Sequence, residues 1–216
     1  MNQIMEDIAE KAREVFEEQT AIRDHALAQA RIIIRYAANA IRATHRAEVQ
    51  KAEASLSQAK ELAKILKQDL LNYPQIYYAG YTQDALKEYV EAAVTLSLIF
   101  NLTLPTPESL DVGYGTYLQG LAEANGELRR RCLDILRHGY SKEAEDILST
   151  MDDIYALLIT MDYPDAVTGG LRRLTDIARG INERTRGELT IILRESHLED
   201  KLTHFEKLIQ DGYTSK

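Results

Sequence analysis

The sequence predicts an all-α fold, and three observations support this class. Helix-forming residues are abundant, whereas the 216 residues include only 4 Pro, 11 Gly and no Trp. Residues 1–73 contain neither Pro nor Gly. Apolar residues recur at steps of seven in this segment, as at Ile8, Val15 and Ile22, which is typical of a packed helical face. We therefore predict a single helical domain over residues 1–216, with long helices at both ends.

The first helix is predicted over residues 2–45 and the second over residues 48–71. Leu27, Ile34 and Ile41 continue the seven-residue spacing in the first helix. A straight helix of that length would be roughly 65 Å long, whereas a compact domain of this size has a radius of gyration of about 17 Å. The helix therefore either bends or extends beyond its own domain, where neighbouring subunits can cover it. We favour the second arrangement and predict self-association.

The four prolines, at positions 74, 105, 107 and 164, mark breaks between the later helices. After a turn over residues 73–81, helices are predicted over residues 82–101, 114–138, 142–161 and 166–209. Residues 102–113 form a loop with room for one short helical turn. Gly139 ends one of these helices and Ser141 caps the start of the next. The last helix has four glycines that are candidate bends, Gly169, Gly170, Gly180 and Gly187.

Composition excludes several classes of protein. A single cysteine, Cys132, excludes an internal disulfide framework and fits a reducing cytoplasm. No apolar run approaches the ~20 residues that span a bilayer, and the acidic N-terminal segment has no features of a secretory signal. The formal net charge of -8 argues against a general nucleic-acid binder, although a basic face can coexist with acidic surroundings. We therefore expect a cytoplasmic protein without membrane association.

Two pairs of glutamates stand out by their placement on predicted helices. The segment "ALKEYVEAAVTLSLIF" (85–100) is the most apolar helical stretch, yet it contains Glu88 and Glu91. Burying unpaired carboxylates costs several kcal/mol, so these two face either water or a bound cation. Glu123 and Glu127 share one face of a later helix because they are four residues apart. If the two helices face each other, the four carboxylates suit a hard cation such as Mg²⁺ or Mn²⁺.

The glutamate pattern alone leaves two interpretations open, because solvated helix faces also carry glutamates at this spacing. The apolar setting of the first pair favours a metal site. Gly120 and Gly126 favour it too, since glycine inside a helix costs about 1 kcal/mol and indicates close approach by another element. A ferritin-like di-iron site is excluded, because none of the five histidines has Glu three residues before it.

Basic residues near the glutamates and on the first helix also have two interpretations. Arg130 and Arg131 follow Glu127 by three and four residues, and they either form ion pairs with it or neutralise a phosphate in the transition state. A basic stripe covers about 60° of the first helix at 100° per residue and consists of Arg31, Arg35, Arg42 and Arg46. Such a stripe is more often a solvated or inter-subunit face than a track for RNA. Cys132 is predicted to be a core residue, since no base is arranged to activate it.

The two acidic segments together resemble the translin family, and specifically its translin-associated factor X (Trax) branch. The matching segments are "EYVEA" (88–92), "YLQG" (117–120), Glu123 and "GELRRRC" (126–132), in the order that the family has them. "THR" (44–46) and "GYSKE" (139–143) are similar to family segments at the same places, so the resemblance covers nearly the whole chain. Trax chains typically have Asp where this chain has Glu123. The basic, aromatic segment of translin is replaced here by "YYAGYTQDAL" (77–86).

The resemblance implies a translin-like bundle of about seven helices that assembles into a hollow homo-oligomer of roughly six to eight subunits. It also implies a metal-dependent endoribonuclease that cleaves RNA, single-stranded RNA in particular, with single-stranded DNA as a further ligand. The implied Mg²⁺ or Mn²⁺ ligands and catalytic residues are Glu88, Glu91, Glu123 and Glu127.

Arg130 is the residue implied to bind the scissile phosphate, and Arg131 and the arginine stripe are further candidate nucleic-acid contacts. Two other functions stay open at this point. One is a shell that binds nucleic acid without cleaving it. The other is a scaffold whose long helices only assemble subunits.

Overall fold

The computed structural model describes residues 2–214 of the chain. These residues form nine α-helices and no β-strand, which confirms the predicted all-α class. Six of the helices are long and the other three have four residues each. In order they are α1 (Asn2–His45), α2 (Val49–Asp69), α3 (Pro74–Tyr77), α4 (Gly80–Ile99), α5 (Pro107–Leu110), α6 (Tyr114–Leu136), α7 (Lys142–Ile159), α8 (Asp165–Thr168) and α9 (Leu171–Thr214).

Local sequence signals fix several helix ends. The Ser141 hydroxyl accepts a hydrogen bond of 3.2 Å from the Glu143 amide and caps α7, as predicted. Gly139 separates α6 from α7 with a φ of 102°, a conformation that glycine adopts at little cost. Thr106 and Ser109 form a capping box at α5, which is the short helical turn expected in the loop before α6.

The C-terminal helical region differs from the prediction of one helix over residues 166–209. Gly169 and Gly170 have φ values of 63° and 86°, so the chain leaves the right-handed helical conformation there. This break separates α8 from α9. Gly180 and Gly187, by contrast, lie inside α9 without interrupting it. The predicted turn over residues 73–81 also contains α3, which begins with Pro74 at its first position.

The described residues divide into two compact units, and the first extends through Gly120. Small side chains let α1, α2 and α4 approach one another closely in this unit. The buried clusters are Ala37, Ala40, Ile41 and Ala92, and Ala43, Ala52 and Leu96. The Gln29 side-chain amide donates to Asp69 across 2.8 Å and links α1 to α2. Eleven of the twenty residues of α4 are buried.

The second unit begins at Leu121, inside α6, and α6 is continuous across that boundary. Its core contains Leu128 and Cys132 of α6, Met151 of α7 and Leu171 of α9. The single domain over residues 1–216 stays a prediction. Met1, Ser215 and Lys216 lie outside the residues that the structure describes.

The outer parts of the two longest helices carry exposed apolar side chains. In α1, Ile4 and Phe16 are each 64% exposed, and in α9 Phe205 is 61% exposed. Such surface is costly to leave in water, and contiguous apolar faces usually mark interaction sites. None of the helices in residues 2–214 combines the length and the hydropathy needed to cross a bilayer.

Candidate metal centre

Helix α4 holds Glu88 and Glu91 on its less buried face. Their neighbours Tyr89, Val90 and Ala92 are buried, whereas the two glutamates are half-buried. This pattern follows from the helical repeat, because positions 84, 87, 88 and 91 form one stripe. The two carboxylates therefore lie at the margin of the core, where one side meets protein and the other can meet a ligand.

Helix α6 makes a close backbone contact with α4 at Gly120. A Cβ atom built on Gly120 would lie 2.7 Å from the Val90 Cβ and 2.8 Å from the Lys87 carbonyl oxygen. Distances below 3.0 Å are almost never seen for a real Cβ, so only glycine fits this position. The close approach predicted at Gly120 is confirmed. The same prediction for Gly126 is wrong, since no described heavy atom lies within 4 Å of its added Cβ.

Three of the four predicted ligands come together. Glu88, Glu91 and Glu123 each offer one carboxylate oxygen, and these oxygens lie within 4.8 Å of one another. All three residues are half-buried. The set offers oxygen ligands without a histidine or cysteine, which fits Mg²⁺ or Mn²⁺ and does not fit a structural zinc site.

Glu127 lies outside this group of three, although it follows Glu123 by one turn of α6. Its carboxylate is 3.5 Å from a guanidinium nitrogen of Arg130, in an ion pair between residues three apart. The Arg130 side chain is 54% exposed, and exposed pairs of this kind contribute about 0–1 kcal/mol to stability. Arg130 is therefore held only loosely and can turn towards a ligand.

Arg131 forms an ion pair that helical spacing did not indicate. Its guanidinium group donates across 2.7 Å to Glu143 at the start of α7. Helical spacing indicated only Glu127 as a candidate partner, whereas the contact with Glu143 depends on how α7 packs against α6. Arg131 thus ties α6 to α7.

Sequence reasoning missed a buried polar ladder that holds α6 against α9. The Asn125 side-chain amide donates across 2.8 Å to Asn182. One turn further along α6, Arg129 donates to Thr185 at 2.8 Å and to Glu188 at 2.9 Å. These partners are more than fifty residues apart in sequence, so no helical spacing signals them. The ladder fixes the rotation of the helix that carries Glu123 and Glu127.

The arginine stripe lies on the outside of α1. Arg31, Arg35, Arg42 and Arg46 are all exposed. The Arg35 guanidinium lies 5.6 Å from the centre of the Tyr36 ring, a distance at which the ring stabilises the cation. Arg42 donates to the Asn39 side chain. The stripe is therefore accessible to a polyanion.

Cys132 is a core residue, as predicted, and it is fully buried in α6. Burial raises the pKa of its thiol to about 11. Its sulfur lies 3.7 Å from the Ala144 carbonyl oxygen. A thiol with so high a pKa is protonated near neutral pH and is a poor nucleophile. Burial also raises the pKa of Tyr89 above its usual range, which marks that ring as part of the core.

Three solved C3PO structures are similar to this chain. The crystal structure of AfC3PO covers 86% of this chain and 97% of its own, with 34% identity and a TM-score of 0.78. The complex of AfC3PO with duplex RNA matches with 33% identity and the same TM-score, covering 86% of this chain and 96% of its own. Apo-NeC3PO shares the fold, with 21% identity and a TM-score of 0.76 over 84% of this chain and 95% of its own.

A sequence relative extends the similarity over more of the chain. An uncharacterised protein of Methanocaldococcus jannaschii is 31% identical over 198 residues, which is 91% of this chain and 86% of that protein. A scan against protein-family models gave no match.

Proposed function

This chain belongs to the translin family, and from that premise we propose that it is a cytoplasmic, Mg²⁺- or Mn²⁺-dependent endoribonuclease that works as a homo-oligomer. The single observation that carries the proposal is the group of carboxylates from Glu88, Glu91 and Glu123 within 4.8 Å of one another. Three half-buried acids at that distance repel one another, and a divalent cation removes the repulsion.

The resemblance to the Trax branch supports the catalytic role. Translin proper lacks the first acidic pair, whereas this chain has Glu88 and Glu91 in the matching segment. Glu123 stands where Trax chains typically have Asp, and its extra methylene lengthens the reach of the carboxylate. We therefore place this chain on the catalytic side of the family.

Each residue of the site has a proposed part. Glu88, Glu91 and Glu123 would hold the cation, which when bound would neutralise charge on the scissile phosphodiester and lower the pKa of a nearby water. Glu127 lies one turn from Glu123 and is the proposed general base, because it is outside the ligand group. Arg130 would leave its exposed ion pair with Glu127 and bind a phosphate oxygen instead.

RNA is the proposed substrate because AfC3PO has been solved in complex with duplex RNA. Single-stranded RNA is the form we expect to be cut, since an unpaired backbone adapts to a site of fixed geometry. Single-stranded DNA is a further proposed ligand. The exposed arginine stripe of α1 and Arg131 are the proposed contacts to the nucleic-acid backbone, which dominates such affinity.

Self-association is proposed from the exposed apolar side chains of α1 and α9, and the number of roughly six to eight subunits is what the resemblance to the translin family implies. A shell that binds RNA without cutting it is the second candidate. The ion pair between Arg130 and Glu127 favours it, because that pair engages the two groups that the enzyme proposal assigns to phosphate and water.

The test replaces Glu88, Glu91, Glu123 and Glu127 singly by Gln, which keeps the shape and removes the charge. Cleavage of single-stranded and duplex RNA in Mn²⁺ is measured beside RNA affinity and melting temperature. We expect cleavage to fall by orders of magnitude for each ligand variant, because ligands act as a unit. RNA affinity should persist or tighten, since a negative charge near phosphate is removed.

Asp84→Asn is the matched control for these variants. Asp84 lies on the same face of α4, one turn before Glu88, and is outside the ligand group. Its cleavage rate should equal that of the unmodified chain. Protein that binds RNA but does not cut it in Mg²⁺ or Mn²⁺ would contradict the enzyme proposal and favour the binding shell. Loss of cleavage in proportion to loss of folded protein would make the four glutamates structural.

A further inference from the structure

Gly120 is the point of closest approach between α4 and α6 near the glutamates. Its added Cβ would lie 2.7 Å from both Cβ and Cγ1 of Val90 and 2.8 Å from the carbonyl oxygen of Lys87. Ordinary contact for a Cβ begins at 3.4 Å. The two helices are therefore several tenths of an ångström closer here than any residue with a side chain allows.

This contact lies next to the carboxylates on both helices. On α4, Val90 directly precedes Glu91, and Lys87 directly precedes Glu88. On α6, Gly120 is three residues before Glu123, a rise of about 4.5 Å along the helix. The distance between the helices at Gly120 therefore sets how far Glu123 lies from the α4 pair.

The size of Mg²⁺ limits how far apart the glutamate oxygens that share it can lie. Oxygen ligands of octahedral Mg²⁺ lie at 2.0–2.1 Å from the ion, so two of them are about 3.0 to 4.2 Å apart. The three glutamate oxygens lie within 4.8 Å of one another. This limit is close to the larger of the two Mg²⁺ separations, so a wider helix spacing would work against sharing one Mg²⁺.

We propose that Gly120 is a positioning residue that holds α4 and α6 close enough for Glu88, Glu91 and Glu123 to share one small divalent cation. This inference rests on the proposed function of the glutamates as ligands. Ca²⁺ takes ligands at 2.3–2.6 Å and tolerates a wider and less regular set, so a wider spacing of α4 and α6 should weaken Mg²⁺ binding more than Ca²⁺ binding.

Gly120→Ala adds the one atom that the contact excludes. Because one of the three obstructing atoms is a backbone oxygen, it cannot rotate away, and the helices must separate. A glycine that served only packing would lower stability without changing which cation binds. The ratio of Mg²⁺ to Ca²⁺ affinity therefore distinguishes positioning from packing.

The experiment measures Mg²⁺, Mn²⁺ and Ca²⁺ binding to the full chain by titration calorimetry, with melting curves in chelator to confirm folding. Gly120→Ala should lower Mg²⁺ affinity at least tenfold and Ca²⁺ affinity by less, so that the ratio falls. Gly126→Ala is the matched control, because it lies on the same helix and has open space around its added Cβ. It should bind all three ions as the unmodified chain does.

A double variant tests the same contact with less steric conflict. Val90→Ala with Gly120→Ala removes Cγ1 of Val90, so its affinity ratio should lie between those of the unmodified chain and Gly120→Ala. If Gly120→Ala does not fold, the double variant is compared directly with the unmodified chain. An unchanged Mg²⁺ to Ca²⁺ ratio in the folded variant overturns the proposal. An unmodified chain that binds none of the three ions would instead contradict the proposed metal site itself.

Discussion

Replacing Asn125 by alanine tests the buried contact that joins α6 to its neighbours. Asn125 is fully buried, and its side-chain amide donates across 2.8 Å to Asn182. Asn182 in turn donates to the Met151 carbonyl oxygen at 2.9 Å and to Asp152 at 3.2 Å. One pair of asparagines therefore links α6, α7 and α9, and both members are almost free of contact with water.

The expected cost follows from the groups left without partners. Asn125→Ala removes the donor from the buried Asn182 carbonyl oxygen, which together with a small cavity costs about 2–4 kcal/mol. Asn182→Ala leaves the buried Asn125 amide without its acceptor and also removes the bonds to Met151 and Asp152, so we expect about 3–5 kcal/mol. The double variant removes both partners of one bond and should cost about 1–2 kcal/mol less than the sum.

The assay is urea unfolding at a fixed protein concentration, in chelator, so that metal and assembly do not shift the equilibrium. Asn72→Ala is the control, because Asn72 is an exposed asparagine, and its effect should stay within about 0.5 kcal/mol. A change of that small size for Asn125→Ala, or a strictly additive double variant, would refute the account of the ladder.

Four further predictions concern metal, assembly and the thiol. Mn²⁺ at about one hundred times its dissociation constant should stabilise the fold by about 2.7 kcal/mol and raise Tm by roughly 5–10 °C, and equal melting curves in Mn²⁺ and chelator would contradict this. Light scattering should give the mass of several chains, whereas a clean 24.5 kDa monomer at micromolar concentration would contradict self-association. Cys132, whose pKa is raised to about 11, should react slowly with Ellman's reagent at pH 8 until urea unfolds the chain. Because the unfolded thiol ionises at a lower pH than the folded one, the contribution of Cys132 to stability should be complete at neutral pH and should be lost as pH rises through 11.

Local signals made the secondary structure predictable. The absence of Pro and Gly before residue 74 predicts the helical character of α1 and α2, and the Ser141 cap starts α7 where the sequence places it. The failure at Gly169 and Gly170 has a simple cause. Two adjacent glycines permit left-handed backbone but do not require it, so the sequence alone cannot distinguish a bend from a break.

The metal centre was predictable only in part. Helical spacing places Glu88 beside Glu91 on one face, whereas the approach of Glu123 depends on how α6 packs on α4. A glycine inside a helix lowers helix stability, but the sequence does not show which structural feature requires the glycine. The signal was therefore correct at Gly120, which has Val90 against it, and wrong at Gly126, which has open space around its added Cβ.

Partners distant in sequence were not predictable from spacing. Arg131 had a candidate partner within one helical turn, yet it pairs with Glu143 on α7. Arg129 was not singled out, and its partner Glu188 is fifty-nine residues away. Such pairs depend on the packing of whole helices, which periodicity within one helix does not describe.

Metal density in a crystal tests the central claim most directly. Crystals of the unmodified chain grown in Mn²⁺ should show an anomalous difference peak within about 2.0–2.4 Å of oxygens of Glu88, Glu91 and Glu123, and the peak should vanish in Glu91→Gln. Crystals that show no peak among these glutamates at a Mn²⁺ concentration that supports RNA cleavage would contradict the account.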